Sequence, residues 1–340
     1  MKTLQLIAPS RAEIAARLRA SKSSGAPGDD NVTNALLKKG GDVVVEALFR
    51  LFSLFWNTES YPPALFRAVV VPIHKGKRLP VDAPASYRPI SLTSCVGKLL
   101  EAVLCERITT RVELDGRLAE EQGGFRKSRR AEDQLFALLE LLDIRRGRST
   151  YCAFLDVKRA YDVVWRDSLW SKLYSAGVGG KLWRMIRAMY SRIESTVRVG
   201  REQSLPFLSS RGVRQGSVLS PLLYLLFVND LIVKLRECDA GIRFDDSTLS
   251  SLFFADDIVL LADSAAELKR LLAVCAKYAS HHRFDFSVEK SNVVVFGPAT
   301  HRDTTRMWPL GGLMIAEKEE YVYLGVKLTA NLSWPAHVEP

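Results

Sequence analysis

Ser251-Leu-Phe-Phe-Ala-Asp256-Asp257-Ile-Val-Leu-Leu-Ala262 sets two adjacent acids between two apolar runs, with neither Gly nor Pro. Short continuous apolar runs of this kind read as buried strands. The spacing predicts a hairpin whose tight turn is Ala255, Asp256 and Asp257. Two carboxylates at the tip of a dry sheet repel each other strongly unless a cation sits between them. A plainer reading is a solvated turn that happens to carry two Asp, which is common. The rest of the chain must separate the two.

The chain has 340 residues, 47% of them hydrophobic, enough for one large domain or two ordinary ones with real cores. Mean hydropathy is +0.00, and the longest apolar run, 218–228, contains Ser220 and Pro221. A bilayer span needs roughly 20 apolar residues, so no membrane partner is expected. Arg11, Glu13, Arg17 and Arg19 interrupt the first apolar patch too early for a signal peptide. Five Cys, at 95, 105, 152, 238 and 275, are scattered without a CxxC pair and read as buried thiols of a reducing compartment. A net charge of +10 points to a polyanionic partner, although many basic proteins bind none. These features predict an intracellular protein that faces nucleic acid, in nucleus or cytoplasm.

Helices alternate with strands along the chain. Ser10-Arg-Ala-Glu13 reads as a capping box opening a helix to about Arg19. Lys22 to Asn31 is a turn-rich break, and Gly40-Gly41 splits 31–56 into two helices. A strand over 66–73 leads into the basic loop His74-Lys-Gly-Lys-Arg78 and an extended return over 87–92. Six Lys or Arg, at 67, 75, 77, 78, 88 and 98, face the single acid Asp82. Such a loop either holds phosphates, as point charges plus a planar Arg fork, or is simply solvated. Helices are expected over 97–114, 131–144, 165–174 and 177–190, and an apolar helix over 222–228 ending at Asn229-Asp230. Ser264-Ala-Ala-Glu267 reads as a second capping box, opening a helix to about His282. Strands are expected at 151–156, 195–199 paired with 207–208, 286–296 and 321–326.

Three further stretches carry chemistry. Gln122 to Arg130 packs four cations into five positions beside Phe125, a mixture that suits a phosphate backbone and a stacked base, or a solvated face. Gly212 to Pro221 sets Gly on both sides of Arg214 and Gln215 before a helix, offering backbone N–H groups at close range; an ordinary Gly-rich loop reads the same way. Asp156 ends a buried strand, where a sheet presents chemistry, unless it merely caps the next helix. Asp156 and the Asp256-Asp257 pair are about 100 positions apart, and neighbouring strands would converge them. Oxygen-only ligands select a hard ion such as Mg²⁺ or Mn²⁺. Two such ions ~3.5–4 Å apart suit phosphoryl transfer. GxxxxGK, GxGxxG and HExxH are all absent, so neither a Walker loop nor a zincin helix is expected.

Eight segments in order resemble the reverse transcriptase domain of non-LTR (LINE-like) retrotransposons. They are Lys22…Pro27-Gly-Asp-Asp30, Tyr87-Arg-Pro-Ile-Ser-Leu92…Lys98, Gln122…Gly124-Phe-Arg126, Phe154-Leu-Asp156…Ala160-Tyr-Asp162, Gly212-Val-Arg-Gln-Gly216-Ser-Val-Leu-Ser-Pro221, Phe254-Ala-Asp-Asp257, Lys290-Ser and Tyr323-Leu-Gly325. The resemblance covers nearly the whole chain. It implies an α+β fold: a polymerase palm, meaning an antiparallel sheet backed by helices, with α/β fingers and a thumb missing or truncated. The implied division is a helical extension of the fingers over 1–60, fingers over 61–150, and palm over 151–300 with fingers helices returning around 175–215. Residues 301–340 would be the end of the palm or the start of a truncated thumb.

The implied activity is RNA-directed DNA polymerisation, a nucleotidyl transfer adding dNTPs to a DNA primer 3′-OH on an RNA template. Two Mg²⁺ ions, with Mn²⁺ as a possible substitute, would be held by Asp156 and Asp256, with Asp257 the third acid. Lys290 would assist the leaving pyrophosphate. Lys75 and Arg88 would hold the triphosphate, and Gln215 and Gly216 would touch the nucleotide. Tyr161 would bar a 2′-OH, its alternative being a core aromatic. Phe125, Arg126 and Arg130 would touch the template. Asn31 stands where the family usually has Gly, and Ala131-Glu132 replaces a Ser-Thr pair. The chain ends soon after Tyr323-Leu-Gly325 and carries no preceding endonuclease, so it reads as part of a longer element. Other readings are a group II intron-type reverse transcriptase and maturase, or an RNA-binding relic without catalysis. An RNA-dependent RNA polymerase would carry a smaller residue at 161.

Overall fold

A computed structural model describes residues 7–76, 79–244 and 247–332. The chain forms two compact units, one from the residues before 118 together with 166–223, the other from 118–165 and 224 onward. The first apolar patch before Ile7, and Lys77 and Arg78 of the basic loop, lie outside the described residues.

In the first unit the Ser10 capping box forms as expected: the Ser10 hydroxyl accepts from Glu13 N–H, and the Glu13 carboxylate accepts from Ser10 N–H. Helices Asn34–Lys39 and Gly41–Thr58 part at Gly41, whose φ of 53° glycine supplies freely. Strand Arg67–His74 pairs antiparallel with Tyr87–Thr93 and parallel with Glu194–Val199. Glu194–Val199 also takes Phe207–Leu208 antiparallel, as the sequence predicted. Its buried side chains include Phe52, Phe55 and Trp56 of helix Gly41–Thr58, and Leu100, Leu104 and Ile108 of helix Cys95–Leu114. Each such side chain contributes ~1.5–3 kcal/mol on burial.

The second unit is built on a six-stranded sheet. Its order is Met307–Leu310, Leu313–Glu317, Asn292–Phe296, Thr150–Asp156, Asp257–Ala262, Ser251–Phe254. Thr150–Asp156 lies inside, antiparallel to both neighbours, and is buried on both faces up to its last residue. Strand side chains alternate between faces. Cys152, Phe154, Val259, Leu261, Val294 and Phe296 share a core with Leu138, Leu141 and Leu142 of helix Ala131–Ile144. Helix Ala265–His282 buries Leu268, Leu271, Leu272 and Cys275. Its Tyr278 hydroxyl donates to the Phe227 carbonyl at 2.7 Å. The α+β class read from the sequence is the class observed.

Four local expectations are corrected. Helix Ser220–Arg236 runs past Asn229-Asp230, because Leu231, Ile232 and Leu235 continue a fully buried face. The Asn229 side chain accepts from Ala119 N–H at 2.8 Å instead of closing the helix. Within 286–296 the strand is Asn292–Phe296 alone, since 287–291 folds into a turn in which Ser291 N–H donates to Ser287 O. The 321–326 segment is a hairpin of Glu320–Tyr323 and Val326–Thr329, reversed at Leu324 and Gly325 with φ of 48° and 84°. The Ser264 box is half formed: its hydroxyl accepts from Glu267 N–H, but the Glu267 carboxylate takes the N–H groups of Gly241 and Asp263. Among the described residues no helix is long and apolar enough to cross a membrane.

Candidate active site

The last residue of the inner strand and the first of its neighbour meet at one end of the sheet. Asp156 is the register partner of Asp257, and Phe154 of Val259, so both carboxylates lie on the face that Phe154 and Val259 share. Asp256 occupies the turn just before, following Ala255, which holds a φ of 59°. Asp257 is thus a strand residue rather than part of the tip.

Asp156 also anchors Lys290. The Asp156 carbonyl accepts from Ser287 N–H at 2.8 Å, and Asp156 N–H donates to the Ser291 hydroxyl at 3.1 Å. The 287–291 turn therefore hangs on the strand end, and Lys290 Nζ comes 3.0 Å from Asp156 Oδ2. The lysine is 67% exposed and the aspartate 16%, so the ammonium reaches the acid from the solvent side.

Burial dominates the electrostatics. It pushes the Asp257 carboxyl up to about 6, and the charges of Asp256 and Asp156 add to the rise against Lys290. Burial likewise raises Asp256, with Asp156 adding, opposed by a backbone hydrogen bond and by Lys290. Buried oxygens with too little positive charge nearby are the condition that favours a bound cation. Among the described residues no three His, Cys, Asp or Glu side chains are gathered closely enough to hold a metal ion by themselves. Mg²⁺ seldom uses such a cage. It is typically bound by one or two carboxylates and completed by water and substrate phosphates. The hard, partly open donor set of Asp156 and Asp256 fits that chemistry.

Two pairs of aromatic rings feel the charge of the acids. Tyr321 stacks on Phe154 at 4.3 Å between centroids, and its hydroxyl is pushed up to about 12 by burial, then by Asp257 and Asp156. Tyr161, half-buried in the loop after Asp156, lies parallel to Tyr224 at 5.6 Å and 10°. Burial raises the Tyr224 hydroxyl well above its ordinary range, and the charge of Asp256 adds to the rise. That hydroxyl is buried without a hydrogen-bond partner. The sequence hid Tyr224 among the apolar residues of its helix.

The remaining expected residues fall in two places. In the same unit Phe125 is 58% exposed and Arg130 is exposed. The Arg126 side chain is 6% exposed, its guanidinium donating to Ala119 O at 2.9 Å and Gln122 O at 3.2 Å. In the first unit Lys75 Nζ donates to Ala85 O at 2.7 Å, and Arg88 is exposed opposite Ile73. Gln215 O accepts from Ser91 N–H at 2.7 Å. Gly216 has φ of 115°, and a Cβ there would stand 2.7 Å from Ser91 O, so only glycine lets this loop lie against the Tyr87–Thr93 strand.

The family described as reverse transcriptase (RNA-dependent DNA polymerase) matches residues 73–328. A probable RNA-directed DNA polymerase from transposon BS of Drosophila melanogaster is 29% identical over 96% of this chain and 36% of its own length. The RNA-directed DNA polymerase from mobile element jockey of Drosophila funebris is 28% identical, over 96% and 35%. A retrovirus-related Pol polyprotein from the type-2 retrotransposable element R2DM of Drosophila melanogaster is 27% identical, over 92% and 30%. The chain therefore spans about a third of the length of these curated relatives. Apo telomerase from Candida tropicalis, truncated from its C-terminal domain, matches in fold with a TM-score of 0.53 at 12% identity, over 84% of this chain and 59% of that one. The relatives are of the kind the eight segments resembled.

Proposed function

Since the chain belongs to the reverse transcriptase (RNA-dependent DNA polymerase) family, we propose that its second unit carries the catalytic centre of an RNA-directed DNA polymerase of a non-LTR retrotransposon. The reaction would extend a DNA primer 3′-OH with dNTPs against an RNA template. The observation that carries this reading is the pairing of Asp156 with Asp257 at the strand ends, with Lys290 on Asp156. The retrotransposon character of these relatives favours it over a group II intron-type enzyme.

Divalent-metal dependence is general to the family. Here Asp156 and Asp256 would hold two Mg²⁺ ions, or Mn²⁺ in their place, with Asp257 the supporting acid. Such ions, when bound, activate the attacking oxygen and stabilise the leaving one. Lys290 would hold a proton at Nζ for the departing pyrophosphate, a general-acid role. Tyr161, backed by the parallel Tyr224 ring, would leave no room for a 2′-OH. Lys75 and Arg88 would bind the triphosphate, and Gln215 with Gly216 would line the nucleotide. Phe125 would stack on a template base, Arg130 would meet its phosphates, and Arg126 would serve the template by holding that loop in shape.

The test is extension of a DNA primer on an RNA template by the purified chain with dNTPs and Mg²⁺. Incorporation lost in Asp256→Asn supports the reading. Salt-sensitive RNA binding without incorporation by the natural chain would instead mark an RNA-binding relic.

A further inference from the structure

Gln122 is 1% exposed, yet every polar atom of its side chain is engaged. Its Oε1 accepts from Gly124 N–H and from Ala255 N–H, each at 2.8 Å, and its Nε2 donates to Ala255 O at 3.4 Å. All three bonds end on two stretches: the loop that carries Phe125, and the turn that carries Asp256. The backbones beside it are sewn together as well. Phe253 N–H donates to Glu121 O at 2.9 Å, and Gly123 N–H to Phe253 O at 2.8 Å.

Gly124 makes this approach possible, since a Cβ there would stand 2.2 Å from Ala255 N. Ala255 holds a φ of 59°, a region that L-residues with a Cβ seldom occupy unless their surroundings impose it. The Gln122 amide grips both the N–H and the carbonyl of that residue. The backbone of Ala255 fixes the direction in which the chain enters Asp256.

We propose that Gln122 is a positioning residue: it buckles the Phe125 loop to the Ala255-Asp256 turn and holds Ala255 left-handed, so that Asp256 is presented beside Asp156. The inference rests on the reading of Asp256 as catalytic. A merely space-filling glutamine would satisfy its amide anywhere; this one spends its bonds on the residue before a catalytic acid and on the glycine before a proposed template contact. Occupancy of the loop and geometry of the turn are thereby linked.

Gln122→Met keeps the shape and removes every bond. Gln134→Met is the contrast, because Gln134 Nε2 donates to Phe253 O and Glu121 O but does not touch the turn. In Gln122→Met, hydrogen exchange of the 255–257 segment should quicken, the Mg²⁺ concentration for half-maximal extension should rise, and kcat should fall on the order of 10²-fold with the dNTP KM little changed. In Gln134→Met thermal stability should drop while exchange at the turn and Mg²⁺ dependence stay put. Ala255→Gly added to Gln122→Met should recover part of kcat, since glycine takes the positive φ without a clamp. A folded Gln122→Met with natural exchange at 255–257 and natural kcat overturns the inference. If that variant does not fold, Gln122→Asn, one methylene too short to reach both N–H groups, must show the same quickened exchange or the inference fails. Exchange needs no activity, so a natural chain that fails to extend primers would defeat the catalytic reading while the buckle is still judged by exchange.

Discussion

Asp156 and Asp257 face each other across one antiparallel ladder, at the point where both strands end. Like charges directly opposite in a sheet destabilise it, and here burial raises Asp257 to about 6 with Asp256 and Asp156 adding. An aspartate raised above its ordinary 3.8 holds its proton more tightly folded than unfolded. Its contribution to stability is therefore full below the ordinary value and is lost as pH rises through about 6. In the presence of a chelator Asp257→Asn should melt higher than the natural chain at about pH 7.5 and alike at about pH 4. A lower melting temperature for the variant at the higher pH would contradict the electrostatic account.

A cation that answers this repulsion should stabilise the fold. Mg²⁺ at about 100 times its dissociation constant should add ~2.7 kcal/mol if it binds only the folded chain. Thermal unfolding with and without the ion reads this directly, and Asp156→Asn or Asp256→Asn should erase the shift. An equal Mg²⁺ shift in both variants would place the ion elsewhere.

The Tyr161–Tyr224 stack predicts sugar selection. Tyr161→Ala should raise ribonucleotide use relative to deoxynucleotide by roughly 10–200-fold, the range a single steric misfit supplies. Tyr161→Phe should leave discrimination intact, and Tyr224→Ala should relax it in part by letting the ring tilt. Competing incorporation of the two sugars measures all three, and an unchanged ratio in Tyr161→Ala would remove the gate.

A second pH effect comes from the first unit. Burial alone would raise Glu13, but hydrogen bonds from Arg107 and Ser10 bring it down to about 2. Arg107 is 4% exposed, with Nε 2.7 Å from Glu13. A carboxyl lowered on folding stabilises above its ordinary value, and that contribution fades as pH falls from about 4.5 towards 2. Glu13→Gln should cost about 1–3 kcal/mol at neutral pH, an estimate kept small because Glu13 is partly exposed. The deficit should shrink below about pH 4 in denaturant titrations; a constant deficit would refute the ion pair as its source.

What was legible in the sequence was whatever periodicity and local acids encode. The strand before Asp156 and the hairpin at Asp256 announced themselves as short apolar runs ending in carboxylates, and their convergence followed once the strands were neighbours. Contacts between distant segments were not legible. Gln122 reaches Ala255 across 133 positions, and nothing within its own loop marks that bond. The cations of 126–130 look alike in sequence, yet Arg126 is turned inward while Arg130 is exposed. The hairpin of Met307–Leu310 and Leu313–Glu317 escaped notice because Met307 and Met314 are exposed while Trp308 and Ile315 are buried, so its alternation is masked by apolar residues on both faces. Lys290 was expected within a strand, whereas the carbonyl of Asp156 draws Ser287 into a turn.

The most direct test is template-primed synthesis by the purified chain: a DNA primer on an RNA template, dNTPs and Mg²⁺, with Asp256→Asn measured beside it. Extension by the natural chain, loss of extension in the variant, and an unfolding profile showing the variant still folded are expected. Full extension by a folded Asp256→Asn would contradict the catalytic reading of Asp256.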